Sequence, residues 1–236
     1  MKIYQEKSEI QMQGVARSQE FGFKLTSDTF QMFFKNIYKR PILAVVRELA
    51  CNARDAHLMA NNLMNTKFDI HLPNVLEPWF EVRDYGVGLS QQQMETLYST
   101  FFESSKQSSN DFIGGLGIGS KSPLAYADMF SATSFFNGKK YAYLITKNEV
   151  GVPTWAFIGE EDTDEPNGLC VNVPVKADNR ADLNEFKSAS QRALCYFENI
   201  PNILGEAITI EEPSYSARHN SWGVRTNSPA SLDVLS

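Results

Sequence analysis

The sequence predicts an α+β fold: a two-layer α/β sandwich whose mostly antiparallel mixed sheet is covered on one face by helices. Three observations predict it. Apolar residues near the start of the chain recur at helical spacing, whereas the middle carries alternating or short apolar runs. An Asn137-Gly138 pair, the strongest short hairpin signal, separates two of those runs. Helices followed by a series of hairpin-linked strands is the order of an α+β domain.

Taken along the chain, residues 1–25 mix polar and apolar positions around Gly14 and Gly22, which suggests an N-terminal hairpin. Ser27 is placed to cap an amphipathic helix carrying Phe30, Phe33, Phe34 and Ile37. Pro41 opens the next helix, at a position where its missing N–H is not needed. Ile42, Val45, Val46, Leu49, Ala53, Ala56 and Met59 give that helix its apolar stripe. Residues 67–72 and 79–83 read as strands, and Ser90 caps a short helix ending near Tyr98. Residues 104–111 form a polar loop. After a glycine-rich stretch, residues 130–136, 140–147, 154–158 and 169–175 read as consecutive antiparallel strands, and 182–197 as a last amphipathic helix. Residues 1–212 thus make one domain. Residues 213–236, rich in Ser, Asn and Pro without periodicity, read as a flexible tail.

Bulk properties narrow the function classes. The 236 residues suit one domain, and 42% hydrophobic against 21% charged is enough to fill a core. A formal net charge of -6 argues against a general grip on nucleic acid, which needs a basic face, so no sequence-specific nucleic-acid partner is expected. Cys51, Cys170 and Cys195 are scattered, the pattern of reduced thiols and not of a disulfide frame or zinc site. His57, His71 and His219 form no ligand pair. No apolar run reaches the roughly 18 residues of a spanning helix, so a soluble protein is expected.

Three segments carry chemistry. Glu48, Asn52 and Asp55 stand at i, i+4 and i+7, on one face of the helix opened by Pro41. Alone, such a triplet most often marks a solvated face. Asp84-Tyr85-Gly86-Val87-Gly88-Leu89 follows a strand directly and offers a carboxylate beside backbone that a flat ring can approach. An ordinary strand-to-helix turn explains it equally well. The third segment is Gly114-Gly115-Leu116-Gly117-Ile118-Gly119-Ser120-Lys121. Its glycines expose successive N–H groups, Ser120 can open a helix, and Lys121 adds a cation, which together make a phosphate cradle. It is not a Walker A loop, because Lys121 follows a serine. A flexible linker would waste Leu116 and Ile118 in solvent.

In this order the three segments resemble the motifs of the GHKL (Bergerat-fold) family of ATP-binding domains. Glu-x3-Asn-x2-Asp-Ala is similar to its N box, Asp-x-Gly-x-Gly to its first glycine box, and Gly-Gly-x-Gly-x-Gly-x-Lys to its second. The resemblance spans roughly residues 27–175 and implies ATP and Mg2+ as cofactors. It implies that Asp84 accepts the adenine amino group, with Gly86 and Gly88 allowing close approach and Leu89 packing on the base. Asn52 would place one oxygen on magnesium, Glu48 would orient the attacking water as general base, and Asp55 would support the polar network. Gly114, Gly115, Gly117, Gly119 and Ser120 would surround the phosphates, with Lys121 neutralising them. Residues 101–113 fall at the family's mobile lid, including Ser104, Ser105 and Lys106. One departure is Gly168-Leu169, where many members have Gly-Thr.

Ala44–Leu49, Phe101–Lys106, Ser109–Gly115 and Gly119–Pro123 are further similar to the phage rIIA-type proteins, rapid-lysis accessory proteins of T-even phages. That resemblance implies a nucleotide-gated switch acting on a host or phage partner, or as a homodimer, in the cytoplasm of the infected bacterial host. It leaves peripheral membrane association open. Gyrase-like and MutL-like relatives bring a lysine from a following domain onto the γ-phosphate. Only the last helix and tail follow the core here, so the expectation is ATP binding with weak turnover, or a non-enzymatic regulator with the same pocket.

Overall fold

The computed structural model describes residues 37–99, 119–149, 151–219, 222–225 and 232–234. The N-terminal hairpin, nearly all of the helix capped by Ser27, the polar lid with Ser104, Ser105 and Lys106, and Gly114, Gly115 and Gly117 lie outside the described residues.

Helix α1, Pro41–Met59, starts where proline is expected, at the first turn after Arg40. Ile42, Val45, Val46, Leu49 and Ala53 face inward, as their spacing requires. Strands β1, Asp69–His71, and β2, Trp79–Arg83, pair antiparallel. The Asn74 side chain accepts the N–H groups of Leu76 and Glu77 in the connection, each at 2.9 Å. Helix α2, Gln91–Ser99, opens on a reciprocal cap: Gln93 N–H donates to Ser90 Oγ at 3.3 Å and Ser90 N–H to Gln93 Oε1 at 2.8 Å.

A short 3-10 helix, Gly119–Ala125, replaces the helix expected from Ser120. Pro123 inside it has no N–H to give to an α-helical ladder, which favours the tighter, shorter form. Strands β3, Met129–Phe136, and β4, Lys139–Lys147, follow, joined by Asn137 and Gly138 at φ 52° and 78°. Both residues are left-handed, as a two-residue hairpin turn with the right twist demands. Then come β5, Pro153–Asp162, β6, Gly168–Pro174, and helix α3, Arg180–Leu194. Asn179 caps α3 by accepting Asp182 N–H at 3.2 Å.

The sheet has the order β5-β4-β3-β6-β2-β1-β7, where β7 is Asn202–Leu204. Every pairing is antiparallel except β1 with β7, so the architecture is mixed α+β with an open seven-stranded, mostly antiparallel sheet. The four middle strands are not a simple meander. β6 leaves β5 and inserts between β3 and β2. Sequence alternation shows that β6 is a strand, but not which edges it joins. The region from 213, read as a tail, contributes β8, Tyr215–His219, β9, Trp222–Arg225, and β10, Leu232–Val234, in a separate antiparallel sheet. His219 pairs with Trp222, so two residues separate these strands, a spacing that a composition rich in Ser and Asn conceals.

Across the large sheet Ile70, Val82, Val171, Ala132 and Tyr143 lie in register as one buried apolar row. The neighbouring row, His71, Glu81, Asn172 and Ser131, is polar, and Asn172 Nδ2 donates to Glu81 Oε2 at 2.9 Å. This alternation directs one face to the core, where residues of α1, α3 and the 3-10 helix join the apolar row. Phe80 of β2 stacks on Phe186 of α3, with centroids 5.0 Å apart and planes 25° apart. Both rings are fully buried. Phe80→Ala is therefore expected to destabilise by about 3–5 kcal/mol, because the helix layer resists collapsing into the void. Urea unfolding checks this, and a loss under about 1 kcal/mol would contradict the packing described.

Candidate functional site

The insertion of β6 beside β2 brings the candidate residues together. Asp84 directly follows β2, and its N–H donates to Leu169 O of β6 at 2.9 Å. Just beyond it Gly86 lies against Ala56 of α1 and Gly88 against the Phe135 carbonyl at the end of β3. Asn52, Asp84 and Ser120, from three separate segments, line one small cavity with Leu49, Ala53, Val82, Tyr98, Leu169 and Val171. Its volume of about 20 Å³ accommodates one water.

Asp84 is only 5% exposed, and its Oδ1 accepts the Gly86 N–H at 2.9 Å. That bond makes a local Asx turn and fixes one oxygen of the carboxylate. The glycines have steric reasons here. A Cβ on Gly86 would come within 2.6 Å of Ala56 in α1. Gly88, at φ 69°, would press a Cβ into the carbonyl oxygen of Phe135. Leu89 is held on both backbone groups by buried Ser134: its N–H donates to Oγ at 2.8 Å, and its carbonyl accepts from Oγ at 2.7 Å.

Glu48, Asn52 and Asp55 meet three different environments. Glu48 Oε1 accepts from the Arg47 guanidinium at 2.8 Å. Glu48 Oε2 borders Gly119, where an added Cβ would lie 2.6 Å away, so the triad helix and the second glycine segment are in contact. Asn52 is on the cavity wall. Asp55 is fully buried beside Arg54, 3.6 Å from Nη1, and is not among the cavity-lining residues. Arg54 also makes a two-pronged contact to Glu198 at 2.6 and 3.1 Å. Lys121 is buried as well, and the cost of desolvating its charge lowers the ammonium to about 8. Burial pushes the Cys51 thiol up to about 12, which makes it inert.

Unpaired hydroxyls bear on what the cavity can take. Tyr98 Oη and Ser120 Oγ, on two residues of the cavity wall, are buried without a hydrogen-bond partner. Buried polar groups are nearly always paired, so two orphans on residues of one small, mostly apolar cavity mark a place for a water or a ligand's polar edge. Among the described residues no group of three or more His, Cys, Asp or Glu side chains is placed to hold a metal ion. No helix among them is long and apolar enough to cross a membrane.

Several residues that build the site carried no motif. Arg83 packs its guanidinium 4.8 Å from the Tyr85 ring centroid and 4.1 Å from that of Phe135, and donates to the Asp84 carbonyl and to Pro166 O. Tyr98, Ser134, His57 and Asn62 also act through contacts distant in sequence. Gly168 stands out in sequence only as the glycine before an unexpected leucine. At φ 144° its Cα faces the Asp84 carbonyl oxygen so closely that a Cβ would overlap it. Gly168→Ala is thus expected to displace the Asp84 turn, at a cost on the order of 1–3 kcal/mol from backbone strain plus the clash. Thermal unfolding measures the cost, and an unchanged Tm would contradict the close approach.

No protein-family model matches this sequence and no curated protein matches it, so the reading of the site rests on its geometry and on its motifs.

Proposed function

We propose that the chain is an ATP- and magnesium-binding domain of the GHKL type, a phage rIIA-like switch with weak ATPase activity. The observation that carries this reading is the convergence of Asn52, Asp84 and Ser120 on one cavity. Each comes from a different one of the three motifs, and nothing in their local sequence requires them to meet.

In this reading Asp84 recognises the base, its buried carboxylate, oriented by the Gly86 N–H on Oδ1, accepting from an amino group. Tyr98 Oη and Ser120 Oγ, both lacking partners, supply further polar contacts or hold a bridging water. Asn52 offers magnesium one neutral oxygen. That ion takes its remaining ligands from phosphate and water, so the donor set fits without an acidic cluster. Glu48 is the general base, next to Gly119 of the phosphate segment. When bound, magnesium would neutralise phosphate charge. The switch would act on a host or phage protein, or between two copies of the chain, in lysis timing or exclusion.

A second reading is a regulator that binds nucleotide without turning it over. One observation favours it. The Glu48 oxygen that accepts from Arg47 is less available to take a proton from water.

Asp84→Asn is expected to keep the fold and weaken ATP binding by roughly 10- to 100-fold, the cost of leaving buried polar groups mismatched. Titration calorimetry that finds unchanged affinity in the folded variant would sink the base-recognition role. Glu48→Ala separates the two readings: ATP binding stays, while magnesium-dependent phosphate release falls by about 100-fold if Glu48 is the base. Wild-type release no greater than that of Glu48→Ala would leave the regulator.

A further inference from the structure

The peptide between Asp84 and Gly86 is held from outside the turn by two side chains. His57, fully buried in the last turns of α1, accepts the Tyr85 N–H on Nε2 at 2.9 Å. Because Nε2 accepts, the ring proton must sit on Nδ1, which donates to Thr66 O at 3.1 Å. Asn62 grips the other side of the residue, donating from Nδ2 to Tyr85 O at 2.9 Å. The Tyr85 phenol donates to Asp69 Oδ2 at 2.6 Å, and Asp69 Oδ1 accepts from Asn202 at 2.8 Å.

The His57 bridge works only with a neutral ring. An imidazolium has two N–H donors and no acceptor, so its Nε2–H would point at the Tyr85 N–H. The bond would then be lost, in a place with little water to replace it.

We propose that His57 is the positioning residue for the Asp84 turn, and that its protonation releases this turn and weakens nucleotide binding in acid. The binding half of the proposal rests on Asp84 being the base-recognising carboxylate.

The surroundings of His57 set the direction. From β1 the Asp69 carboxylate faces it and favours the charged ring; from beyond β2 the Tyr85 phenol stands edge-on at 6.5 Å, and Phe68 offers only an apolar ring at 5.9 Å. Burial outweighs both the Thr66 carbonyl and Asp69, and holds the imidazole below its ordinary 6.5. The closed turn therefore binds a proton less readily than a released turn, in which His57 regains water. By linkage, acid favours release: the bridge is fully present above about 6.5 and is lost as pH falls below it.

Two measurements test this. In the first, ATP affinity with magnesium is titrated calorimetrically between pH 7.5 and 5.5 for wild type and His57→Gln. Glutamine can present an acceptor to the Tyr85 N–H but does not titrate, and any protonation of ATP is common to both proteins. Wild type is expected to lose roughly fivefold more affinity than His57→Gln as the pH falls, the share of one hydrogen bond. Parallel profiles overturn the proposal. In the second, nitrogen NMR of nucleotide-free wild type should show His57 as the Nδ1–H tautomer, with the Tyr85 amide shifting along the His57 titration. A Tyr85 amide indifferent to that titration overturns the positioning role, even if His57→Gln fails to fold. Absence of ATP binding by wild type at every pH would overturn the binding half, and the NMR result would still decide the positioning half.

Discussion

The turn at Asp84–Gly86 is the constraint on which the site depends. Five of its backbone polar groups are taken up by five different partners. Asp84 N–H goes to β6, Asp84 carbonyl to Arg83, Tyr85 N–H to α1, Tyr85 carbonyl to Asn62, and Gly86 N–H to the Asp84 side chain. A buried donor or acceptor left unmet costs about 1–3 kcal/mol, so these bonds act together to allow one conformation. The glycines are the steric counterpart: α1 can rest on Gly86, and β6 on the Asp84 peptide, only because Gly86 and Gly168 lack a Cβ. A carboxylate fixed this firmly is ready for a ligand before any arrives.

The same turn explains why the sheet order matters. Had β6 remained beside β5, as the succession of strands suggests, Leu169 O would not reach Asp84 N–H and the cavity would have no wall at Leu169 and Val171. The inner row of apolar residues runs unbroken through β1, β2, β6, β3 and β4. Buried Arg83 and Asp84 sit where β2 leaves the sheet. The hydrophobic core thus supplies rigidity, and the site occupies its margin, where a buried charge can still find partners.

What the sequence discloses follows from the range of each interaction. Helix α1, the Ser90 cap, the Asn137-Gly138 turn and strand β2 depend on residues a few positions apart, and all four are legible. Strand β7 has three residues and pairs in parallel with a strand far earlier in the chain, so it has neither a period nor a turn to announce it. Strands β8 to β10, of five, four and three residues, are set in a polar composition. The candidate site divides in the same way. Asn52, Asp84 and Ser120 belong to local motifs and are legible as candidates. Arg83, His57, Asn62 and Ser134 look like ordinary strand, helix and turn residues until the chain brings them to the turn. The triplet Glu48, Asn52 and Asp55 was correctly placed on one helix, but helical spacing does not foretell that Asp55 is enclosed beside Arg54 while Asn52 reaches the cavity.

The size of the cavity limits how a nucleotide site here would work. A space of about 20 Å³ takes a water and not a purine ring. A base seated in this cavity among the described residues would need part of its wall to move. Asp84 is the wrong part to move, since its turn is tied at every point. Val82 and Val171 belong to the central strands and are equally fixed. Tyr98 is different. It lies in the last turn of a nine-residue helix, and its hydroxyl has no hydrogen bond to break. Its ring does have an edge contact with Phe130, at 6.0 Å, to give up. Withdrawing Tyr98 therefore costs packing but no polar partner, and that cost would be subtracted from the intrinsic affinity. If the proposed reading holds, nucleotide would bind only as tightly as the open form is populated, which is the property a switch requires.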